Sequence, residues 1–249
     1  MISVTKAKDL LAQQCQKGQI SETFLQDSLD RILAEDVVSP IDVPSFDNSA
    51  MDGYAMRFDE NTNSWEVVTS IQAGETASKH LGGGEAARIF TGAKMPEGAD
   101  TVIQQELITR EGNTIFYQHE KIRSGSNVRL KGSQCKAGEQ ILKKGIKITP
   151  GVIGLLASVG LKKVKIYAPP SVAYIVTGNE LKEVGEDLTE GEIYNSNGPM
   201  LEALLRQIGI EKISALRAAD DRTSLQQTIN KALVANDVLI LSGGISVGD

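Results

Sequence analysis

The sequence predicts a multidomain protein of the α/β and β classes, with a helical and extended part, a β-rich part and a parallel-sheet α/β part. Three observations indicate this. Apolar residues near the N-terminus recur at helical spacing, short β-rich segments separated by Gly, Asn and Asp turns fill residues 36–150, and strands alternate with helices from about residue 170. With 249 residues, the chain is long enough for more than one hydrophobic core.

The first 35 residues are predicted to form two amphipathic helices. The first helix begins after Thr5, which is a suitable N-cap, and Gly18 ends it. The second begins at Ser21, and its apolar face would consist of Phe24, Leu25, Leu29, Ile32 and Leu33. Such a pair needs another surface to cover it.

The region from 36 to 150 is predicted to be mostly antiparallel β-structure, barrel-like in form. Strand candidates are residues 65–71, 101–108 and 114–117, and the Arg-Glu-Gly-Asn sequence at 110–113 is typical of a hairpin turn between the last two. A short helix is predicted at 150–158.

The C-terminal part is predicted to fold as β-α-β-α-β with parallel strands and right-handed crossovers. Strands are expected at 171–176, 212–216 and 237–241, and helices after 196–199 and at 223–234. The first of these helices would turn inward Met200, Leu201, Leu204, Leu205 and Ile208. Because three strands make a small sheet with an uncovered flank, we expect this domain to be incomplete at residue 249.

Composition excludes several classes of partner. A net charge of −6 and an isoelectric point near 5.1 argue against a nucleic-acid surface and against docking on an anionic membrane. No apolar segment approaches the length that crosses a bilayer, and the N-terminus lacks the features of a signal peptide. The two cysteines have no metal or redox spacing. We therefore expect a cytoplasmic protein with two free thiols.

Three loops follow the predicted parallel strands, at residues 177–180, 218–221 and 242–249. Ligands of open parallel sheets bind outside the carboxyl ends of the strands, so these loops are expected to converge on one site. The third loop reads Ser-Gly-Gly-x-Ser-x-Gly, and its free backbone N–H groups and hydroxyls suit a phosphate or another oxyanion. A plain structural turn is the alternative reading.

Two carboxylates in these loops are candidates for a magnesium site. Glu180 and Asp220 are suitably placed, because Mg²⁺ is usually held by one or two carboxylates together with substrate phosphates. Alternatively, Glu180 opens an acidic run that faces water, and Asp220 and Asp221 are turn or N-cap residues of the following helix.

Five segments resemble the signature sequences of the MoeA family, the molybdopterin molybdenumtransferases, which are related to the E domain of gephyrin. They occur in the family's order along the whole chain and lie at residues 49–55, 88–93, 98–103, 154–158 and 242–248. The resemblance implies domain I, helical, extended and used for dimerisation, at 1–40 and 138–168. It implies a β-rich domain II inserted at 41–137 and a MogA-like, molybdopterin-binding α/β domain III, truncated here, at 169–249.

Members of this family insert molybdate into adenylylated molybdopterin in a Mg²⁺-dependent step that releases AMP. The resemblance thus implies an enzyme of molybdenum cofactor biosynthesis with Mg²⁺ as cofactor and molybdate and adenylylated molybdopterin as substrates. It also implies a homodimer, with an active site between the α/β domain of one subunit and the β-rich domain of the other. A MogA-like adenylyltransferase is a further expected partner.

The resemblance assigns roles to particular residues. Catalytic roles fall on Asp52, Thr91, Glu180 and Asp220, of which Glu180 and Asp220 would also hold the metal. Binding of the pterin nucleotide falls on Thr177, Gly178, Ser242, Gly243, Gly244, Ser246 and Gly248.

Three departures from the family pattern favour an alternative. Gln134 and Asn179 stand where the family usually has acidic residues, and the family continues well beyond Asp249 with lysines that meet molybdate. We therefore expect weak insertion activity at most from these 249 residues. The alternative is a truncated or degenerate relative that binds the pterin phosphate, or acts as a scaffold, without turnover.

Overall fold

The computed structural model describes residues 2–75, 79–118 and 122–242. In chain order the helices are α1 (Val4–Gln14), α2 (Pro150–Ser158), α3 (Asn197–Gln207) and α4 (Arg222–Ala235). The strands are β1 (Ile20–Phe24), β2 (Ile32–Leu33), β3 (Val37–Val38), β4 (Asn48–Ser49), β5 (Gly53–Met56), β6 (Ser64–Ile71), β7 (Glu85–Ile89), β8 (Thr101–Gln104), β9 (Ile108–Glu111), β10 (Thr114–Tyr117), β11 (Val128–Arg129), β12 (Gln140–Leu142), β13 (Lys163–Tyr167), β14 (Val172–Thr177), β15 (Leu181–Lys182), β16 (Ile193–Tyr194), β17 (Ile213–Ala218) and β18 (Val238–Ser242). Short 3-10 helices lie at Leu25–Asp27 and Gln105–Leu107.

The chain forms two compact units. The first comprises the described residues of Met1–Glu35, Lys144–Ile153 and Lys162–Asp249, and the second those of Asp36–Lys143 and Gly154–Leu161. Among the described residues, no helix is long and apolar enough to cross a membrane. The predicted α/β and β multidomain class is confirmed, whereas the three domain boundaries stay predictions.

The second unit is built on a six-stranded sheet in the order β8-β5-β7-β6-β10-β9. Its pairs are antiparallel except β6–β7. Within the described residues no pairing joins the edge strands β8 and β9, so the sheet is open there, which corrects the barrel-like expectation. The predicted hairpin at 110–113 is present between β9 and β10. The predicted strand 101–108 is wrong as one element, because a 3-10 turn at Gln105–Leu107 separates β8 from β9 and sends them to opposite edges of the sheet.

Both faces of this sheet carry a core. Side chains that alternate along each strand point to opposite faces, so neighbouring residues such as Ala55 and Met56 enter different clusters. Trp65 is the largest fully buried side chain and lies in the cluster with Met56, whereas Ile89 lies in the other. A sheet covered on both faces gives its loops a rigid base.

The N-terminal region of the first unit differs from its prediction. α1 begins after Ser3, whose hydroxyl accepts the Lys6 N–H at 3.2 Å, rather than after Thr5, and it ends at Gln14, before Gly18. The second predicted helix is absent among the described residues 21–33. β1 pairs with β13 and β2 joins the same antiparallel sheet, so pairing with a strand some 140 residues away overrides the local helical spacing.

The parallel sheet of the first unit confirms the β-α-β-α-β prediction. Its order is β17-β14-β18, with β14 in the centre. α3 covers one face through Leu205, and α4 covers the other through Ala232. At the amino ends of β14 and β18, the Asp237 carboxylate accepts the Ser171 N–H at 2.8 Å and its hydroxyl at 2.7 Å, and both bonds lower the Asp237 pKa.

The inward face predicted for α3 is only partly correct. Leu205 is 7% exposed and Leu201 packs beside it. Met200, Leu204 and Ile208 are 53%, 50% and 72% exposed, so the prediction was wrong for these three. The physical reason is that the small sheet beneath α3 covers only a narrow stripe of the helix.

Candidate functional site

The carboxyl ends of the three parallel strands lie together. Thr177 at the end of β14 is in register with Ala218 of β17, and Val176 is in register with Ser242 of β18. Since β14 is central and is followed by β17 on one side and β18 on the other, the chain reverses its winding direction at this point. Such switch points form the ligand crevice of open α/β sheets.

Hydroxyl and amide groups meet between β14 and β18. The Thr177 hydroxyl donates to the Ser242 carbonyl oxygen at 3.3 Å, and the Asn197 amide donates to the Ser242 hydroxyl at 3.1 Å. Asn197 is the first residue of α3, so this contact places the start of that helix at the same crevice. Sequence analysis noted Asn197 only as part of the helix start and missed it as a site residue.

Glu180 folds back over Gly178. A Cβ on Gly178 would lie 2.8 Å from both Glu180 carboxylate oxygens, and the backbone there has φ of +145°. Glycine is therefore favoured at 178 by its conformation, and a side chain there would displace the Glu180 carboxylate.

Three further hydrogen bonds join residues 178–181 to β17 and to the loop after it. The Arg217 guanidinium donates to the Gly178 carbonyl oxygen at 3.4 Å and also to that of Leu181. The Asn179 side-chain oxygen accepts the Asp220 N–H at 3.3 Å. Sequence analysis missed Arg217, because a single arginine on a strand gives no signal until its partners are known.

The structure decides the alternative reading for Asp221. Asp221 is the N-cap of α4 and accepts the N–H groups of Thr223 at 3.0 Å and Ser224 at 2.9 Å. Asp220 takes no part in that cap. In the acidic run, Glu186 and Glu192 accept backbone N–H groups within their own loops. The exposed Glu180 and Asp220 carboxylates form no ion pair with any residue in the described ranges.

This edge of the sheet fits a magnesium phosphate. The described residues contain no group of three or more His, Cys, Asp or Glu side chains that could hold a metal without help. Magnesium normally binds through one or two carboxylates while substrate phosphates and water complete its shell. Glu180 and Asp220, in the loops that follow β14 and β17, could provide such an incomplete shell. The predicted phosphate-loop residues Gly243, Gly244, Ser246 and Gly248 lie outside the described residues.

The second unit brings together the other two predicted catalytic residues. The Asp52 carboxylate accepts the Thr91 N–H at 2.8 Å and the Thr91 hydroxyl at 2.7 Å. The backbone bond and then the hydroxyl bond, with the nearby Arg88 charge, hold the pKa of Asp52 below its ordinary value. Asp52 is thus an ionised, oriented carboxylate at neutral pH.

The surrounding signature segments explain how this pair is held. The Arg88 guanidinium lies 5.3 Å from the centre of the Tyr54 ring and 4.6 Å from that of Phe90, and it donates to the Gly53 carbonyl oxygen at 2.7 Å. A Cβ on Gly53 would lie 2.0 Å from the Ile103 carbonyl oxygen, so only glycine fits. Residues 49–55 and 88–93 therefore form one packed structure that presents Asp52 and Thr91.

Comparison with known proteins identifies both parts of the chain. Residues 2–160 match the family model for the MoeA N-terminal region (domain I and II), and residues 173–249 match that for a probable molybdopterin binding domain. A molybdopterin molybdenumtransferase of Staphylococcus aureus is 41% identical over 90% of this chain and 55% of its own length. That of Staphylococcus epidermidis is 40% identical, with 100% of this chain and 61% of the relative covered.

A solved structure of similar fold supports the assignment. The molybdopterin biosynthesis moeA protein of Pyrococcus horikoshii OT3 has a TM-score of 0.88 and 30% identity, over 99% of this chain and 67% of that protein. The chain spans little more than half the length of the curated relatives it matches. Since one family model alone covers most of the chain, and the fold agrees, the chain belongs to the MoeA family.

Proposed function

We propose that this chain acts in molybdenum cofactor biosynthesis, in the Mg²⁺-dependent insertion of molybdate into adenylylated molybdopterin with release of AMP. One observation carries the proposal: the exposed residues Glu180 and Asp220 follow β14 and β17, and Thr177 and Ser242 end β14 and β18, so all four lie at the carboxyl ends of the parallel strands, at the switch point of the sheet. The names of the relatives, molybdopterin molybdenumtransferases, supply the reaction.

The chemistry of the donors is consistent with this role. Thr177 and Ser242, with the glycine loop that follows, would bind the phosphates of the pterin nucleotide. Glu180 and Asp220 would hold Mg²⁺, which offsets the charge that develops on the phosphate leaving group. Asp52 and Thr91 are proposed to act in the same reaction, where the ionised Asp52 can orient or accept a proton from a reacting group.

The remaining features are proposed on family grounds. We expect a homodimer, a MogA-like adenylyltransferase that supplies the adenylylated substrate, and a cytoplasmic location. A pterin-phosphate-binding relative without turnover is the second candidate, and Asn179 favours it: a neutral amide occupies the bridging position beside Glu180, where the family usually has a carboxylate.

Release of AMP distinguishes the two candidates. The purified chain would be incubated with adenylylated molybdopterin, molybdate and Mg²⁺, and AMP would be measured by chromatography. We expect AMP above the buffer rate, loss of that signal in Glu180→Ala, and its retention in Glu190→Ala, which changes an exposed acid in the loop between β15 and β16. Binding of the substrate without any AMP would support the second candidate, and absence of binding would contradict both.

A further inference from the structure

We propose that Arg217 and Asn179 form a clamp that positions the carboxylates of Glu180 and Asp220 for one shared divalent cation. This inference rests on the proposed function, because it assigns positioning residues to the same site. Neither residue has to touch the substrate, so both are positioning residues and not catalytic ones.

The Arg217 contacts enclose the residue that they position. Its guanidinium donates to the carbonyl oxygens of Gly178 and Leu181, which lie on either side of Glu180 in the chain. The planar fork of arginine suits two acceptors at once, whereas a lysine ammonium is a compact point charge on a flexible stem. With its backbone held at both ends, the loop bends and its carboxylate lies against Gly178.

The Asn179 contact joins this loop to the next one. Its side-chain oxygen accepts the N–H of Asp220, the second proposed ligand. Asn179 lies directly before Glu180, so one residue connects the backbones that carry both carboxylates. The bond needs only an acceptor oxygen, which aspartate also has and leucine lacks.

Because Arg217 is exposed, its hydrogen bonds to Gly178 and Leu181 order the loop and do not fill the core. Arg217 lies on an edge strand and its side chain is exposed, so its removal leaves no cavity in the core. A long exposed side chain loses rotamer freedom when it is ordered, and here it is ordered on carbonyl groups of a ligand-bearing loop. Asp220 follows three residues later, in the loop after β17, so Arg217 and Asn179 both connect this part of the chain to the loop that carries Glu180.

The test uses four variants and two matched controls. Arg217→Met and Asn179→Leu remove the clamp, Arg217→Lys keeps the charge but not the fork, and Asn179→Asp keeps the acceptor oxygen. Arg206→Met and Asn230→Leu are the controls, because each changes an exposed side chain whose partner lies within its own helix. Two quantities are measured: amide hydrogen exchange of residues 178–182, and Mn²⁺ affinity by electron paramagnetic resonance in the presence of ADP.

The clamp predicts a defined pattern. Arg217→Met and Asn179→Leu speed loop exchange and weaken Mn²⁺ binding roughly fivefold each, the effect of losing one net hydrogen bond. Arg217→Lys is intermediate, and Asn179→Asp keeps slow exchange and binds Mn²⁺ at least as well as the unsubstituted chain. Both controls leave both quantities unchanged.

Three results would overturn the clamp: unchanged exchange in Arg217→Met, faster exchange with unchanged Mn²⁺ affinity, or Asn179→Asp behaving like Asn179→Leu. The exchange measurement does not depend on any ligand, so it detects a failure of the clamp itself. Failure of the unsubstituted chain to bind Mn²⁺ would instead remove the metal assignment of the proposed function, and with it the role given to the clamp.

Discussion

The two units hold their carboxylates in different ways. In the second unit, Asp52 accepts two hydrogen bonds from Thr91 at 2.8 and 2.7 Å, on loops packed over a sheet with cores on both faces. In the first unit, Glu180 and Asp220 are exposed, and the loops that carry them are fixed through Arg217 and Asn179. One carboxylate is fixed directly, and the other two are fixed through their backbones.

This difference corresponds to different chemical demands. A carboxylate that already accepts two hydrogen bonds is oriented and ionised, which suits a group that meets a substrate in one fixed direction. Carboxylates with free oxygens suit a cation, because Mg²⁺ requires ligand atoms that no other donor occupies. The exposure of Glu180 and Asp220 is therefore consistent with metal binding.

The largest expected effect is at Gly53, which supports Asp52. Gly53→Ala places a Cβ 2.0 Å from the Ile103 carbonyl oxygen, so β5 and β8 must separate. We expect a loss of about 4 kcal/mol or more in the free energy of unfolding. Urea denaturation measures it, with Gly83→Ala as the control because nothing lies within 4 Å of its added Cβ. Equal stability of the two variants would contradict the rigid description of this unit.

The next effect tests the narrow packing stripe beneath the site of the first unit. Leu205→Ala should lower the free energy of unfolding by about 2–3 kcal/mol, because Leu205 is 7% exposed. Leu204→Ala, at a side chain that is 50% exposed, should change it by less than about 0.5 kcal/mol. Thermal denaturation of both variants checks the pair, and similar losses would show that α3 buries the broader face predicted from the sequence.

A smaller effect is expected at Gly178. Gly178→Ala should cost about 1 kcal/mol of stability through its positive φ and should weaken Mn²⁺ binding by displacing the Glu180 carboxylate. Gly185→Ala is the matched control, since φ there is also positive, at +97°, but nothing lies within 4 Å of the added Cβ. Both variants should lose stability, and only Gly178→Ala should lose metal affinity. Equal Mn²⁺ affinities in the two variants would show that Gly178 does not influence metal binding.

The smallest effect is the pH dependence at Asp52. The pKa of Asp52 in the folded protein is below the ordinary 3.8. The ionised carboxylate therefore stabilises the fold at pH values above 3.8, and this contribution is lost as the pH falls through the folded pKa. Thr91→Val removes the hydroxyl donor. The variant should be slightly less stable at pH 7, with a difference that disappears in acid. Chemical denaturation from pH 7 to pH 2.5 measures this, and a difference independent of pH would assign the loss to packing.

Local sequence patterns were sufficient for elements whose packing follows from their own periodicity. The apolar strand β14, the helix α2 and the turn between β9 and β10 are of this kind. The sequence was not sufficient for Ile20–Phe24, because that segment forms a strand only by pairing with Lys163–Tyr167. Long-range pairing of this type leaves no local signal.

The same distinction between local patterns and long-range contacts applies to the residues of the candidate site. The three loops at the carboxyl ends of the parallel strands could be located from the alternation of strands and helices, and the structure brings Thr177 and Ser242 together there. The residues that connect the loops could not be located. Arg217, Asn179 and Asn197 act through carbonyl, N–H and hydroxyl partners that are 36 to 45 residues away, so their roles depend on the folded geometry.

Binding of Mg²⁺ to the substrate complex tests the central claim most directly. Calorimetric titration of Mg²⁺ into the chain with adenylylated molybdopterin would compare Glu180→Ala, Asp220→Ala and the control Glu190→Ala. The account predicts that each of the first two weakens binding at least about tenfold, or about 1.4 kcal/mol, and that the control binds normally. Unchanged affinity in Glu180→Ala and Asp220→Ala would contradict the assignment of the metal site to this edge of the sheet.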